Sequence, residues 1–183
     1  MPEQVVGNQY SVASLFAGMG GFCKAFNNAG FKIAWANEID TFAAQTYKFN
    51  FRDVQLYIKS ISDLSVIVDM LEPVDVMTAG FPCQPFSVAG NKAGFNDKRG
   101  KLFFELIRII KEFGRDRPKI LVMENVKNLL THNNGKTFSR IMNEVQSAGY
   151  WFSDNNATIL STHTHTDIPQ IRERLYMVAL SWD

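Results

Sequence analysis

Hydrophobic positions along this chain switch between two periods. Runs rich in β-branched and aromatic residues at 10–16 (YSVASLF), 31–37 (FKIAWAN), 74–80 (VDVMTAG) and 119–125 (KILVMEN) predict buried strands. A weaker strand is predicted near 54–58 and a last one over 174–181. Between them, helices are predicted over 22–30, 39–50, 62–71, 101–114 and 135–149, with Gly30 a natural stop for the first. In the fourth, Leu102, Leu106 and Ile109 or Ile110 share one side. Alternating strands and helices predict an α/β fold: a doubly wound, mainly parallel sheet with helices on both faces. Such sheets collect ligands at the carboxyl ends of their strands. Three unusual segments fall at predicted strand ends: FAGMGG, GFPCQPFS and MENV.

Composition narrows the class. The 183 residues suit one domain with a sizeable core, or a large fragment of a bigger protein. Two cysteines make no disulfide framework, the N-terminal residues lack the apolar core of a signal peptide, and no apolar run approaches a membrane span of about 18 residues. A reduced, cytoplasmic protein is expected. The net charge of +1 is unevenly spread: residues 92–119 hold nine Lys/Arg against four Asp/Glu. That segment suits contact with phosphates, and equally suits a solvated helix face.

The glycine turn after the first strand lets backbone approach a ligand closely. Glu38 ends the second strand 17 residues after Gly21, near the spacing at which an acidic residue holds ribose hydroxyls. It also reads as an acid favoured by a helix N-terminus. Cys83, bracketed by Pro82 and Pro85 at a strand end, is placed for nucleophilic work, whereas Cys23, within the first helix, reads as a small buried hydrophobe. Glu124, near the end of a β-branched run, faces partial desolvation, which raises a carboxyl's pKa and lets it donate a proton. Arg172 and Arg174 alternate with Glu173, so both guanidiniums point one way, either as a clamp on an anion or base edge or as a solvated strand end. His163 and His165 have no third ligand at recognisable spacing, so no metal is expected.

Taken in order, SLFAGMGG, ANEID, GFPCQPFS, DKRGKLFFEL, MENVKNLL and QIRERLYMVA resemble the motifs of the DNA cytosine-5 methyltransferases. The likeness runs over essentially the whole chain and is greatest to compact bacterial modification enzymes. It implies a Rossmann-like methyltransferase fold with a final antiparallel strand, S-adenosylmethionine as cofactor and double-stranded DNA as substrate. By this resemblance Cys83 adds to C6 of a flipped cytosine, Glu124 donates to N3, and Arg174 and Arg172 hold the base or its flanking backbone. Phe16, Gly18, Gly20, Gly21, Glu38, Ile39, Ile61, Pro82 and Leu102 would hold the cofactor, and Gln84, Ser87, Lys92, Lys98 and Arg99 would contact DNA.

Two departures from the family pattern stand out. Ser60 occupies the place of an aspartate that contacts the adenine amino group, which predicts weaker cofactor binding. The chain ends just after the eighth motif, so the expected domain, residues 1–183, is an incomplete catalytic unit without the target-recognition domain and the last two motifs. A second subunit carrying the recognition domain is one explanation and truncation another. A degenerate, non-catalytic relative and a member acting on RNA are the alternative functions.

Overall fold

The computed structural model describes residues 9–82 and 101–183. Five parallel strands run in the order β3-β2-β1-β4-β5: β1 (Ser11–Leu15), β2 (Lys32–Glu38), β3 (Gln55–Ile58), β4 (Val76–Ala79) and β5 (Ile120–Val126). Beyond β5 the sheet turns antiparallel. β6 (Tyr150–Trp151) and β7 (Ala157–Ser161) both pair with β8 (Glu173–Ser181), which itself pairs with β5. The doubly wound α/β expectation holds, including the final antiparallel strand. The short β6 and β7 were not anticipated, because two and five residues of mixed polarity carry no clear period.

Strand alternation divides the core into two layers. On one face Val12, Ala36, Leu56 and Val76 pack with Cys23 of α1 (Gly21–Asn28) and with Ala44 and Tyr47 of α2 (Thr41–Asn50). On the other, Ala13, Leu15, Met77, Leu121 and Met177 meet α3 (Leu102–Glu112) and α4 (Lys136–Ser147). α3 buries Phe103, Leu106, Ile107, Ile109 and Ile110, each contributing about 1.5–3 kcal/mol. α4 buries Thr137, Phe138, Ile141 and Val145 at helical spacing, while its polar positions face water. A four-residue α5 (Thr162–His165) completes the helices of the described residues, none of which is long and apolar enough to cross a membrane.

The helix expected over 62–71 does not form. Residues 61–63 make a single 3-10 turn, and irregular turns follow. The Asp69 carboxylate takes the Ser65 amide at 2.9 Å, and Met70 sits at φ 51°, outside the helical region. Side-chain capture of backbone amides competes with helix formation, and β-branched Val66, Ile67 and Val68 add little in its favour.

The glycine turn has a structural reason. Gly20 has φ 96°, and a β-carbon there would overlap the Phe51 ring and lie 3.2 Å from Tyr47. Gly20→Ala is therefore expected to lower stability by about 2–4 kcal/mol, from left-handed strain plus crowding. Chemical denaturation of the two proteins checks this; equal midpoints and slopes would refute the packing reading.

Candidate active site

The carboxyl ends of β1, β2 and β4, the turn after β3 and the start of α3 enclose a cavity of about 240 Å³. Its lining is Phe16, Asn37, Glu38, Ile39, Ser60, Ile61, Gly80, Pro82 and Leu102. Six of these, Phe16, Glu38, Ile39, Ile61, Pro82 and Leu102, are residues that the sequence nominates. They converge because parallel strands end on one edge of the sheet. Gly18, Gly20 and Gly21 do not line it; they shape the turn beneath.

Glu38 organises that turn. Its Oε2 accepts the Gly18 amide at 2.7 Å, and its Oε1 accepts the amides of Ile39 and Asp40, each at 2.8 Å. Gly18 meets it in the left-handed region, at φ 56°. The carboxylate is almost buried, at 9% exposure, and three backbone dipoles face it. Glu38 thus lines the cavity and takes up the two amides that lead into α2. Asp40 is the actual cap of α2, accepting the Ala43 amide at 2.8 Å.

Asn37 escaped the sequence reading. Its Nδ2 donates to the carbonyls of Tyr57 and Lys59 at 2.9 and 2.8 Å, fastening the exit of β3 against β2. The available signal was a lone amide inside an otherwise apolar strand. Ser60, the departure noted above, lines the cavity while its hydroxyl accepts the Ser62 amide at 3.2 Å.

Beside the cavity stands a carboxyl–guanidinium pair. Glu124 faces Tyr176 across the β5–β8 ladder, and Arg174 lies two residues along β8, on the same face. Arg174 Nε reaches Glu124 Oε1 at 2.9 Å. Glu173 points the other way and pairs with Lys127 at 2.9 Å, as strand alternation requires. Burial pushes the Glu124 carboxyl above its usual range; the opposing charges of Arg174 and Arg172, with the Arg174 hydrogen bond, offset only part of this. Arg172 itself is exposed. The ring of Phe22 on α1 meets Tyr176 edge-on, with centroids 6.4 Å apart, on the same side of the sheet.

Gly80 joins the two features. It lines the cavity, and a β-carbon built on it would stand 3.7 Å from Glu124 Oε2. One residue further, the carbonyl of Phe81 accepts from Nδ2 of Asn125, a fully buried amide also missed from the sequence, at 3.1 Å. Cys83, Gln84, Ser87, Lys92, Lys98 and Arg99 lie outside the described residues. Cys23 is wholly buried and its sulfur accepts the Tyr47 hydroxyl at 3.1 Å, with burial pushing its pKa up, as an inert packing thiol should be. His163 and His165 are exposed on α5, and among the described residues no group of three His, Cys, Asp or Glu is arranged to hold a metal ion.

A parallel sheet with an antiparallel far edge and a glycine turn answered by an acidic strand end are features of the α/β class that holds nucleotide ligands at its strand ends. A model of the C-5 cytosine-specific DNA methylases matches residues 10–183, and the chain belongs to that family. It is 43% identical over 169 residues to the type II methyltransferase M.Bsp6I of Bacillus sp. (strain RFL6), covering 91% of this chain and 51% of that protein. To M.HhaI of Haemophilus parahaemolyticus it is 39% identical over 170 residues, covering 92% and 48%. The solved structure of the Entamoeba histolytica methyltransferase EhMeth superposes with a TM-score of 0.76 at 25% identity, over 95% of this chain and 53% of that one. The chain thus spans about half the length of the curated relatives it matches.

The folded protein binds the Glu124 proton more tightly than the unfolded chain does. Glu124 therefore makes the fold less stable as pH rises from the ordinary carboxylate range through its own raised value. Arg174→Gln removes the nearest cation, so Glu124 is expected to titrate higher still. Carbon-13 titration of the labelled carboxyl in both proteins checks this, and an unchanged or lower midpoint in the variant would overturn it.

Proposed function

We propose that these residues form the catalytic and cofactor-binding portion of a DNA cytosine-5 methyltransferase, with the part that reads the target sequence supplied from outside them. The observation that carries this is Gly80: a single backbone position forms a wall of the cavity and abuts the raised carboxyl of Glu124. A cofactor site and a proton donor side by side suit transfer to a base that must be protonated at the moment of attack.

The cavity suits the adenosine part of S-adenosylmethionine. Phe16, Ile39 and Ile61 would hold the faces of the adenine, and Pro82 and Leu102 the methionine end. Glu38 would take a ribose hydroxyl. Its carboxylate offers about four acceptor positions, and backbone amides use three of them. Oε2 therefore keeps room for about one more hydroxyl. At about 240 Å³ the cavity is smaller than the ~300–1,000 Å³ of a complete small-molecule site, in keeping with a pocket that needs further walls. Bound there, S-adenosylmethionine supplies an electrophilic methyl group.

The chain's own residues do the rest. Cys83, three residues past Gly80 in the sequence, is the nucleophile. Its thiolate forms a bond to C6 of the flipped cytosine, and the ring electrons shift toward N3 and C5. Glu124, whose burial makes its carboxyl hold a proton more readily than a solvated one, donates to N3 and offsets the charge that collects there. Arg174 keeps that carboxyl aimed and, with Arg172, faces the base or its backbone. After C5 gains the methyl group, loss of the C5 proton to water, expulsion of the thiolate and return of the N3 proton to Glu124 restore the aromatic ring. Gln84, Ser87, Lys92, Lys98 and Arg99 would meet the DNA. Two cysteines without a disulfide and a DNA substrate suit a reducing cytoplasm.

Duplex DNA containing 5-fluorocytosine blocks the final proton loss and should trap the protein covalently once a recognition-bearing polypeptide is added. Cys83→Ala is expected to abolish the adduct, and Glu124→Gln to slow methyl transfer at least about 100-fold. A trapped adduct in the alanine variant would show that the nucleophile is another residue. Strong sequence-specific methylation by the 183 residues alone would refute the division of labour.

A further inference from the structure

The structure assigns Arg108 as a positioning residue for the cofactor cavity, an inference that rests on the cavity holding the adenosine part of S-adenosylmethionine. Arg108 does not line the cavity. It stands on α3, six residues after Leu102, about 9 Å along the helix axis. Its guanidinium joins α3 to the backbone of the opposite wall: Nη2 donates to the carbonyl of Ile61 at 2.8 Å and to that of Leu64 at 2.9 Å. Nε donates to Glu105 at 2.7 Å, and Nη1 to Glu112. Glu112 repeats the grip one turn on, its other oxygen accepting the Val66 amide at 2.9 Å.

This matters because, apart from one 3-10 turn at 61–63, the 61–71 segment belongs to no helix or sheet that would place it. It contributes Ile61 to one side of the cavity, while α3 contributes Leu102 to another. Ile61 is thus a wall whose own carbonyl is held by Arg108. A planar fork is needed: one side chain satisfies two carbonyls and two carboxylates in a fixed geometry. Lysine would keep the charge and the helix propensity but lose the fork. Ser60 makes this support more important, since it offers the base a weaker partner than an acid would, leaving more of the binding to the shape of the neighbouring Ile61.

The test is calorimetric titration of S-adenosylmethionine into the chain and its Arg108→Lys variant, with hydrogen exchange of both. The expected result is a dissociation constant raised about tenfold, faster exchange confined to 61–66, and unchanged binding to a duplex DNA probe. A purely structural role would lower the fraction of folded protein without changing the affinity of what remains. Should the lysine variant not fold, Glu112→Gln takes its place, with an expected rise of about threefold, because an amide cannot accept from both Arg108 and Val66 as a carboxylate does. Equal affinity and equal exchange of 61–66 in the folded variant would overturn the role of Arg108. Failure of the wild-type chain to bind S-adenosylmethionine would instead overturn the reading of the cavity.

Discussion

A carboxyl group kept partly out of water, 2.9 Å from a guanidinium, is the interaction around which this site is built. Either charge alone at that strand end would be costly to bury. The pair is possible only because β8 runs antiparallel to β5. That register sets Glu124 opposite Tyr176 and brings Arg174 within diagonal reach on the same face. A parallel strand in the same place would need a different spacing of residues to create the contact. The antiparallel far edge of the sheet, with this sequence, is therefore what sets the contact. Tyr176, covered edge-on by Phe22, extends the apolar surroundings that keep the carboxyl protonated more readily than a solvated one.

Much of this was legible in the linear pattern. Strand and helix periods located the five parallel strands and the four longer helices of the described residues, and the strand-end rule nominated FAGMGG, GFPCQPFS and MENV for one edge, where Phe16, Gly80, Pro82 and Glu124 stand together. Glu124 and Arg174 were each singled out on physical grounds, one as a desolvated acid and one as a directed cation. Their mutual contact was not, because it depends on the pairing register of strands separated by some fifty residues, which periodicity does not report. The helix expected over 62–71 failed for a related reason. Its apolar spacing is acceptable, but Asp69 and Ser65 divert the local amides, and Lys59 fixes Asp69 in turn at 2.5 Å. That ion pair and the Ser65 amide hold the Asp69 carboxyl below its usual range.

The residues missed from the sequence share one property. Asn37 and Asn125 are buried amides near strand ends, and both spend their hydrogen bonds on backbone. Such side chains do not advertise chemistry, since an amide neither titrates nor attacks. They replace sheet ladder bonds at the places where the ladder stops: Asn37 where β3 leaves β2, Asn125 where β4 gives way to Phe81. Burying an amide without partners would be strongly unfavourable, so each is a directional tie that admits little slippage. Both ties lie next to residues that line the cavity or lead toward Cys83.

Phe16 shows what those ties sustain. It occupies the left-handed region at φ 54°, a conformation that costs a residue other than glycine about 1–3 kcal/mol. The turn that follows is held in compensation: the Ala17 amide donates to the Asn37 carbonyl at 3.0 Å, the Gly18 amide to Glu38, and the Gly20 amide to the Ala17 carbonyl at 2.9 Å. Strain at Phe16 and satisfaction of the next amides arise from one backbone path, so relaxing the first would break the second. The aromatic wall of the cavity and the carboxylate beside it are consequently placed by the same few hydrogen bonds. A ligand entering between them meets surfaces that need not be ordered on binding, which lowers the entropic cost of holding it.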